Sequence, residues 1–362
     1  MLTYKRKLIL TKAQQSRIDS WIGACRVVYN LGMEIKISAY RNKQQSIHKF
    51  ELMKQLTEIK DIDWIADVPA KSLQNVIERL DKSYKNFFNG AGFPKWANRR
   101  KYNSIMFKQC NGGTIHIDGN NIFVPKLKYV RFFKDLEIKG NIKTVTIKKD
   151  PTGYFICITT DAVKSIQNQD ESQVTGLDMG VAVFATDSNG GQISNPRHFK
   201  QYERKLRVEN RSLARKKKGS NSWNRQAKRL GLLQHKIANI RKDFLHKEST
   251  RIAKENHTVY LEDLNIKGMA KNRNLSKHIL DCGWGMFRTM LEYKTNVVAI
   301  NPKFTSQTCN DCGAKDSKSR LSQSKFVCTS CGVESNADIN AAKNILGLGK
   351  ALIRQREAKA CA

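Results

Sequence analysis

The chain has 362 residues, with 65 Lys and Arg against 32 Asp and Glu and a formal net charge of +33. Chains of this size divide into domains of roughly 50 to 200 residues, so two to four modules are expected, and so much positive charge is held close only by a polyanion or an anionic membrane. No stretch reaches the roughly 18 to 20 apolar residues of a membrane span, and the start MLTYKRKLIL lacks the apolar run and cleavage site of a secretion signal, which favours a soluble cytoplasmic protein bound to nucleic acid.

A strand-like opening runs from Leu2 to Leu10. Thr11 and Gln14 then form a capping box, and Ile18, Ile22, Cys25, Val28 and Tyr29 recur at helical spacing, which predicts a long helix to about Tyr40. A second helix follows Pro69, with Leu73, Val76, Leu80, Tyr84 and Phe87 on one stripe and Gly90 as its stop. From Ser104 to Thr160 the period changes to two, with Gly-Asn and Asp-Pro-Thr-Gly turns, the pattern of a small antiparallel barrel or sheet. KSIQNQDESQ at 164–173 is polar and aperiodic and reads as a linker.

The second half opens with TGLDMGVAVFATDSNGGQIS, two strands joined through Asn189 and Gly190. A long helical stretch from Arg197 to Lys254 follows, with 19 basic and 4 acidic residues. TVYLEDLNI then reads as a buried strand with Glu262 near its C-terminal end. No Walker A sequence occurs, which disfavours an ATP-driven motor.

Of nine cysteines, Cys25, Cys110, Cys157, Cys282 and Cys361 are scattered, whereas Cys309, Cys312, Cys328 and Cys331 form C-x2-C-x15-C-x2-C. Each pair ends in glycine, so two tight knuckles can present four thiolates to one Zn2+. Four thiolates leave no position for water, so the zinc is structural. Two disulfides or four unrelated buried thiols form the weaker reading.

Asp178 in GLDMG and Glu262 in TVYLEDL are charges in apolar strands, and Asp338 opens a helix, NADINAAKNI. A charge in such a strand is costly unless it meets a cation or partner. Gathered at one sheet edge, the three could hold two Mg2+ or Mn2+ ions for phosphodiester hydrolysis. Taken singly, Asp178 also reads as a turn former, Glu262 as a loop charge and Asp338 as a helix cap.

Two basic segments are candidates for nucleic-acid contact. One is RSLARKKKGSNSWNRQAKR, with Arg215, Lys216, Lys217, Lys218 and Arg225, where Trp223 is better explained by packing than by stacking. The other holds Lys95, Trp96, Arg99, Arg100 and Lys101. His246 in FLHK reads as a structural or phosphate contact rather than a base.

With these residues in view, the chain resembles the TnpB proteins of insertion-sequence transposons, compact RNA-guided endonucleases related to type V CRISPR effectors. The likeness is carried by FTSQTCNDCG, FVCTSCG and ESNADINAAKNIL, by GLDMGV, LEDLNIKGM and FLHKEST, and nearer the N-terminus by CRVVYN and GFPKWANRRKYNSIMF. It implies an α+β multidomain chain: a wedge-like β-barrel (1–10 and 104–163) around a helical recognition insert (11–103), then an RNase H-like RuvC-type nuclease domain (174–305 and 333–362) with a zinc ribbon (306–332) inserted. It also implies that Asp178, Glu262 and Asp338 are the magnesium ligands. The implied partners are a guide RNA from a transposon or CRISPR locus and double-stranded target DNA beside a short motif, with no membrane and a nucleoid association when DNA is bound. One departure stands out: after LEYK the family carries several more residues, whereas here Lys294 passes almost directly into TNVVAINPKF, which points to a changed helix end or lid. A guide-directed repressor that does not cut, a CRISPR-associated effector and a zinc-ribbon accessory protein are the competing expectations.

Overall fold

A computed structural model describes residues 1–59, 62–99, 101–108, 110, 114–133, 137–162 and 170–360. The chain splits into two units, Met1–Lys164 and Ser165–Ala362, so the division falls where the polar stretch 164–173 begins; residues 163–169 of that region lie outside the described ones.

In the first unit, β1 (Leu2–Ile9) leads into α1 (Lys12–Lys43) through a capping box in which Thr11 and Gln14 satisfy each other's backbone N–H groups. Two short helices not foreseen from periodicity, α2 (Lys49–Glu58) and α3 (Asp63–Ala66), precede α4 (Ala70–Phe88). The α4 stripe buries Leu73, Val76 and Leu80, and the chain leaves the helix through Gly90 at φ +87°. Trp21 is fully buried, and its indole N–H donates to Asp67, which also accepts from Arg17 Nε at 3.1 Å.

The strands β2 (Ser104–Phe107), β3 (His116–Asp118), β4 (Asn121–Val124), β5 (Lys128–Phe132), β6 (Ile142–Asp150) and β7 (Gly153–Thr160) join β1 in one seven-stranded sheet. Its order is β2-β6-β7-β1-β5-β4-β3. β1 pairs with β7 over Leu2–Lys7 and with β5 over Leu8 and Ile9, so one strand joins two halves of the sheet. Among the described residues the order runs open from β2 to β3, and alternate residues such as Ile122, Val130, Ile147 and Ile156 fill the core.

In the second unit, β8 (Val174–Met179), β9 (Val183–Asp187) and β10 (Gln192–Ser194) form an antiparallel meander, and β11 (Thr258–Glu262) and β12 (Asn296–Ile300) extend it parallel to β8. The order is β10-β9-β8-β11-β12. The basic stretch expected as one long helix is two, α5 (His198–Ala214) and α6 (Asn221–Glu255), because Gly219 at φ +88° turns the chain and Ser220 caps α6. The pair is zipped by Leu206, Leu230, Leu233 and Ile237.

Next come α7 (Ile266–Met269), α8 (Arg273–Cys282) and α9 (Trp284–Glu292), and a two-stranded ribbon of β13 (Lys325–Val327) and β14 (Glu334–Asn336) leads into α10 (Ala337–Ala360). α10 lies hard against the sheet. A Cβ on Gly176 would stand 2.2 Å from the Ala342 carbonyl oxygen, and one on Gly349 would stand 2.0 Å from the Tyr260 ring. These close approaches seat residues 342–349 of α10 on Gly176 of β8 and Tyr260 of β11. Among the described residues no helix is long and apolar enough to cross a membrane.

Candidate metal centres

β11 runs parallel to β8 with Leu261 beside Leu177, so the next residues, Glu262 and Asp178, leave adjacent strands at the same carboxyl edge. Ligands in open α/β sheets gather outside this edge. Asp338 reaches it from the first turn of α10, whose opening is capped by Asn336 Oδ1 accepting from Asp338 N at 2.9 Å. Burial first, then the charges of Glu262 and Asp338, push the Asp178 carboxyl up to about 7. Glu262 is raised as well, chiefly by burial, against the opposing pull of the Thr305 hydroxyl and Arg320. Repelling, half-buried carboxylates are what a cationic ligand of hard-oxygen preference stabilises, and the donor set fits Mg2+ or Mn2+.

Two partners of this cluster were not legible in the sequence. Thr305, 3% exposed, donates its hydroxyl to Glu262 Oε1. Arg320 donates through Nη2 to Asp338 Oδ1 at 3.1 Å and places positive charge on Asp178 and Glu262 too.

The four cysteines meet as the spacing requires. Their sulfur atoms all lie within 4.8 Å of one another, the one metal-capable group that closes this tightly among the described residues. Cys309 and Cys331 sulfurs are 3.8 Å apart and those of Cys312 and Cys328 3.6 Å, against about 3.8 Å for the edge of a tetrahedron with zinc–sulfur bonds of about 2.3 Å. The two knuckles repeat each other. Cys309 N donates to Ala314 O and Gly313 N to Cys309 O, while Cys328 N donates to Val333 O and Gly332 N to Cys328 O, with both glycines at φ +74°. The Cys331 backbone N–H, 3.5 Å from the Cys328 sulfur, holds the Cys328 thiol below its ordinary range, while the neighbouring thiols push Cys331 up.

Two asparagines of α10, Asn340 buried and Asn344 half-buried, tie the two centres together. Asn340 on α10 accepts from Asn310 N at 2.9 Å and donates to Thr308 O at 2.8 Å, and Asn344 one turn on donates to Thr305 O at 2.9 Å. The NADINAAKN segment places Asp338 on the helix that grips the first knuckle through Asn340.

Arg215, Lys216, Lys217 and Lys218 occupy the tip between α5 and α6, Arg225 is exposed in the first turns of α6, and Trp223 is half-buried. In the first unit Lys95, Arg99 and Lys101 are exposed, as is Trp96 at 49%, and Arg100 lies outside the described residues. His246 lies 3.4 Å from the Tyr293 hydroxyl, and its backbone carbonyl accepts from Lys294 at 3.1 Å. Lys294, 4% exposed, also donates to Ser249 and Thr250, so the short passage from α9 to β12 is closed by a lysine clamp onto α6.

Comparison with known proteins agrees with this architecture. Residues 155–273 match a family model described as "Probable transposase" (OrfB_IS605), residues 284–345 match the Cas12f1-like TNB domain, and residues 1–45 match a helix-turn-helix domain of the same OrfB family, where this structure has a strand and one uninterrupted helix. A protein of Escherichia coli K12 named "Putative RNA-guided DNA endonuclease InsQ" is 34% identical, with 94% of this chain and 90% of that protein aligned. The chain belongs to the TnpB (OrfB) family. A further TnpB relative, from Streptomyces pristinaespiralis and named "Putative RNA-guided DNA endonuclease", is 29% identical over 96% of this chain and 89% of its own. A Cas12f1 endodeoxyribonuclease of Sulfoacidibacillus thermotolerans is 30% identical over 53% of this chain and 49% of that protein. Among solved structures, a chain of a Cas12f1–sgRNA–target DNA complex shares the fold with a TM-score of 0.59, at 14% identity over 93% of this chain and 83% of that one.

Proposed function

We propose that this TnpB-family chain is an RNA-guided DNA endonuclease that hydrolyses target phosphodiesters at the Asp178, Glu262 and Asp338 cluster. What supports the reading is the parallel register that ends β8 and β11 side by side at Asp178 and Glu262, with Asp338 of α10 near enough to bear on the Asp178 charge, in a chain 34% identical to a relative named as an RNA-guided DNA endonuclease. The mixed sheet, with strands in the order third, second, first, fourth, fifth of the unit, supports an RNase H-like, RuvC-type reading of the second unit.

Asp178, Glu262 and Asp338 would hold Mg2+ or Mn2+ in a pair. Divalent ions so held supply Lewis acidity for in-line displacement at phosphorus. The chain's own residues set the geometry: Thr305 orients Glu262, and Asn340 and Asn344 tie α10, which carries Asp338, to the backbone at Thr305, Thr308 and Asn310. Arg320 brings a guanidinium suited to a phosphate oxygen to the same place. Cys309, Cys312, Cys328 and Cys331 would hold zinc, which would brace the ribbon that carries Arg320.

Guide pairing supplies the target sequence, while the basic hairpin tip (Arg215, Lys216, Lys217, Lys218, Arg225) and the Lys95, Trp96, Arg99, Arg100, Lys101 stretch contact nucleic-acid backbone. His246 serves as part of the α6–α9 packing. The test is expression with the flanking locus, sequencing of co-purified RNA and assay of a guide-matched plasmid with Mg2+. Guide-dependent cutting by the wild type that Asp178→Ala abolishes supports the reading; RNA binding without cutting in any divalent metal replaces it with a guide-directed DNA-binding protein.

A further inference from the structure

The outer face of the first unit's sheet carries aromatic rings where water would be expected to select polar side chains. Opposite partners in antiparallel strands share a face, so the registers His116↔Phe123 and Phe123↔Tyr129 put three rings in one row across β3, β4 and β5. His116 stacks on Phe123 with centroids 5.3 Å apart and planes 15° from parallel, and both meet Tyr129 edge-on at 6.0 and 5.4 Å. Tyr129 is 50% exposed, His116 is exposed and Phe123 between them is half-buried, while Ile115 and Val130 beside them turn inward and are buried. Gln14 holds this edge by donating Nε2 to Tyr129 O at 3.1 Å.

The next row on the same face is Asp118, Asn121 and Arg131, and beyond it Phe133, 57% exposed, donates its N–H to Lys7 O beside Lys7 on β1. Among the described residues the face therefore sets rings beside cations, with Asp118 as the carboxylate next to the ring row and Asp150, farther along on β6, held by Lys5 at 3.4 Å. A hydrophobic partner would not select Arg131 and Lys7. A duplex offers no open base face to stack. Rings that reach the surface at His116, Tyr129 and Phe133, flanked by cations, fit unpaired bases whose phosphates pass over Arg131 and Lys7. Asp118 would repel phosphate yet can accept a hydrogen bond from a ribose 2′-hydroxyl, and Asn121 opposite it can donate or accept, which selects ribose over deoxyribose.

We infer that the His116–Phe123–Tyr129 row is a stacking platform for an unpaired segment of RNA. The identity of that RNA as the guide rests on the proposed function, but the binding itself does not. The test uses the full chain stripped of RNA and titrated at fixed salt with labelled oligo-uridine and oligo-thymidine octamers. Tyr129→Leu and His116→Leu keep apolar bulk but remove the π-face, and each is expected to weaken octauridine binding on the order of tenfold. Tyr129→Trp retains binding, and Asp118→Ala narrows the preference for octauridine over octathymidine. Leucine variants that bind like the wild type, a tryptophan variant as weak as the leucine one, or equal affinity for the two octamers in the wild type would each overturn the platform. Guided plasmid cleavage by the wild type is scored separately, so loss of the nuclease reading leaves this result interpretable.

Discussion

The Thr305 hydroxyl donates to Oε1 of Glu262, and Asn344 from α10 holds the Thr305 carbonyl at 2.9 Å. One buried threonine thus fixes a carboxylate at the end of β11 by leaning on the helix that carries Asp338. Support of this kind around a metal ligand is worth about 10- to 100-fold in affinity or activity. Thr305→Val is therefore expected to lower cleavage by that factor and to shift the Mg2+ requirement upward while RNA binding stays unchanged. A serine at the same position keeps the donor and recovers most of the rate, as cleavage measured across a Mg2+ titration checks.

Asp178 gives the metal-free protein a pH dependence of definite sign. Its folded value of about 7 stands above the ordinary value of 3.8, so the neutral form is favoured on folding. That contribution is fully present below about pH 4 and is lost as pH rises through 7. The loss is up to about 4 kcal/mol at 1.36 kcal/mol per pH unit. Without divalent metal, Asp178→Asn is expected to melt higher than the wild type at pH 8, with the difference gone near pH 4. Added Mg2+ closes the gap at pH 8 by stabilising the wild type alone.

Gly176 sits where α10 presses on β8, and a methyl group there would lie 2.2 Å from a backbone oxygen that cannot move without shifting the helix. Gly176→Ala is expected to destabilise the second unit by about 3 kcal/mol or more and to abolish cleavage by moving Asp338 away from Asp178. Thermal melting with a cleavage assay reads both; Gly347→Ala on the same helix, where a Cβ meets nothing within 4 Å, serves as the control.

The cysteine cluster is expected to hold one zinc per chain, measured by elemental analysis. Cys312→Ser is expected to reduce that content and, through the lost ribbon, to release Arg320 from Asp338 and Asn310 from Asn340. Cleavage then falls more than RNA binding does, because the first unit has no residue in the cluster. Full activity in a zinc-free variant would contradict the coupling.

Much of this was legible in the chain because each signal was local. The Thr11 and Gln14 box, the α4 stripe and the paired CxxCG knuckles are short-range rules, and Asp178, Glu262 and Asp338 stood out as charges in apolar or helix-opening positions. What stayed hidden depends on long-range approach. Nothing near Thr305 or Arg320 in sequence announces a carboxylate partner, since both arrive through the ribbon fold. Gly176 stands in the sequence only as the glycine that opens GLDMG ahead of Asp178, and it is also a contact point for a helix more than 160 residues later. The break at Gly219 was missed because the basic residues on both sides have equally good helix propensity, and the apolar stripe that zips α5 to α6 is sparse.

The most direct measurement is cleavage of a guide-matched plasmid by the purified ribonucleoprotein in Mg2+, wild type beside Asp178→Ala, with a mismatched plasmid as control. The account predicts cutting by the wild type of the matched plasmid alone, none by the variant, and equal RNA content in both. A wild type that retains its RNA and binds the matched plasmid without cutting it in Mg2+ or Mn2+, or a variant that cuts as well as the wild type, would contradict it.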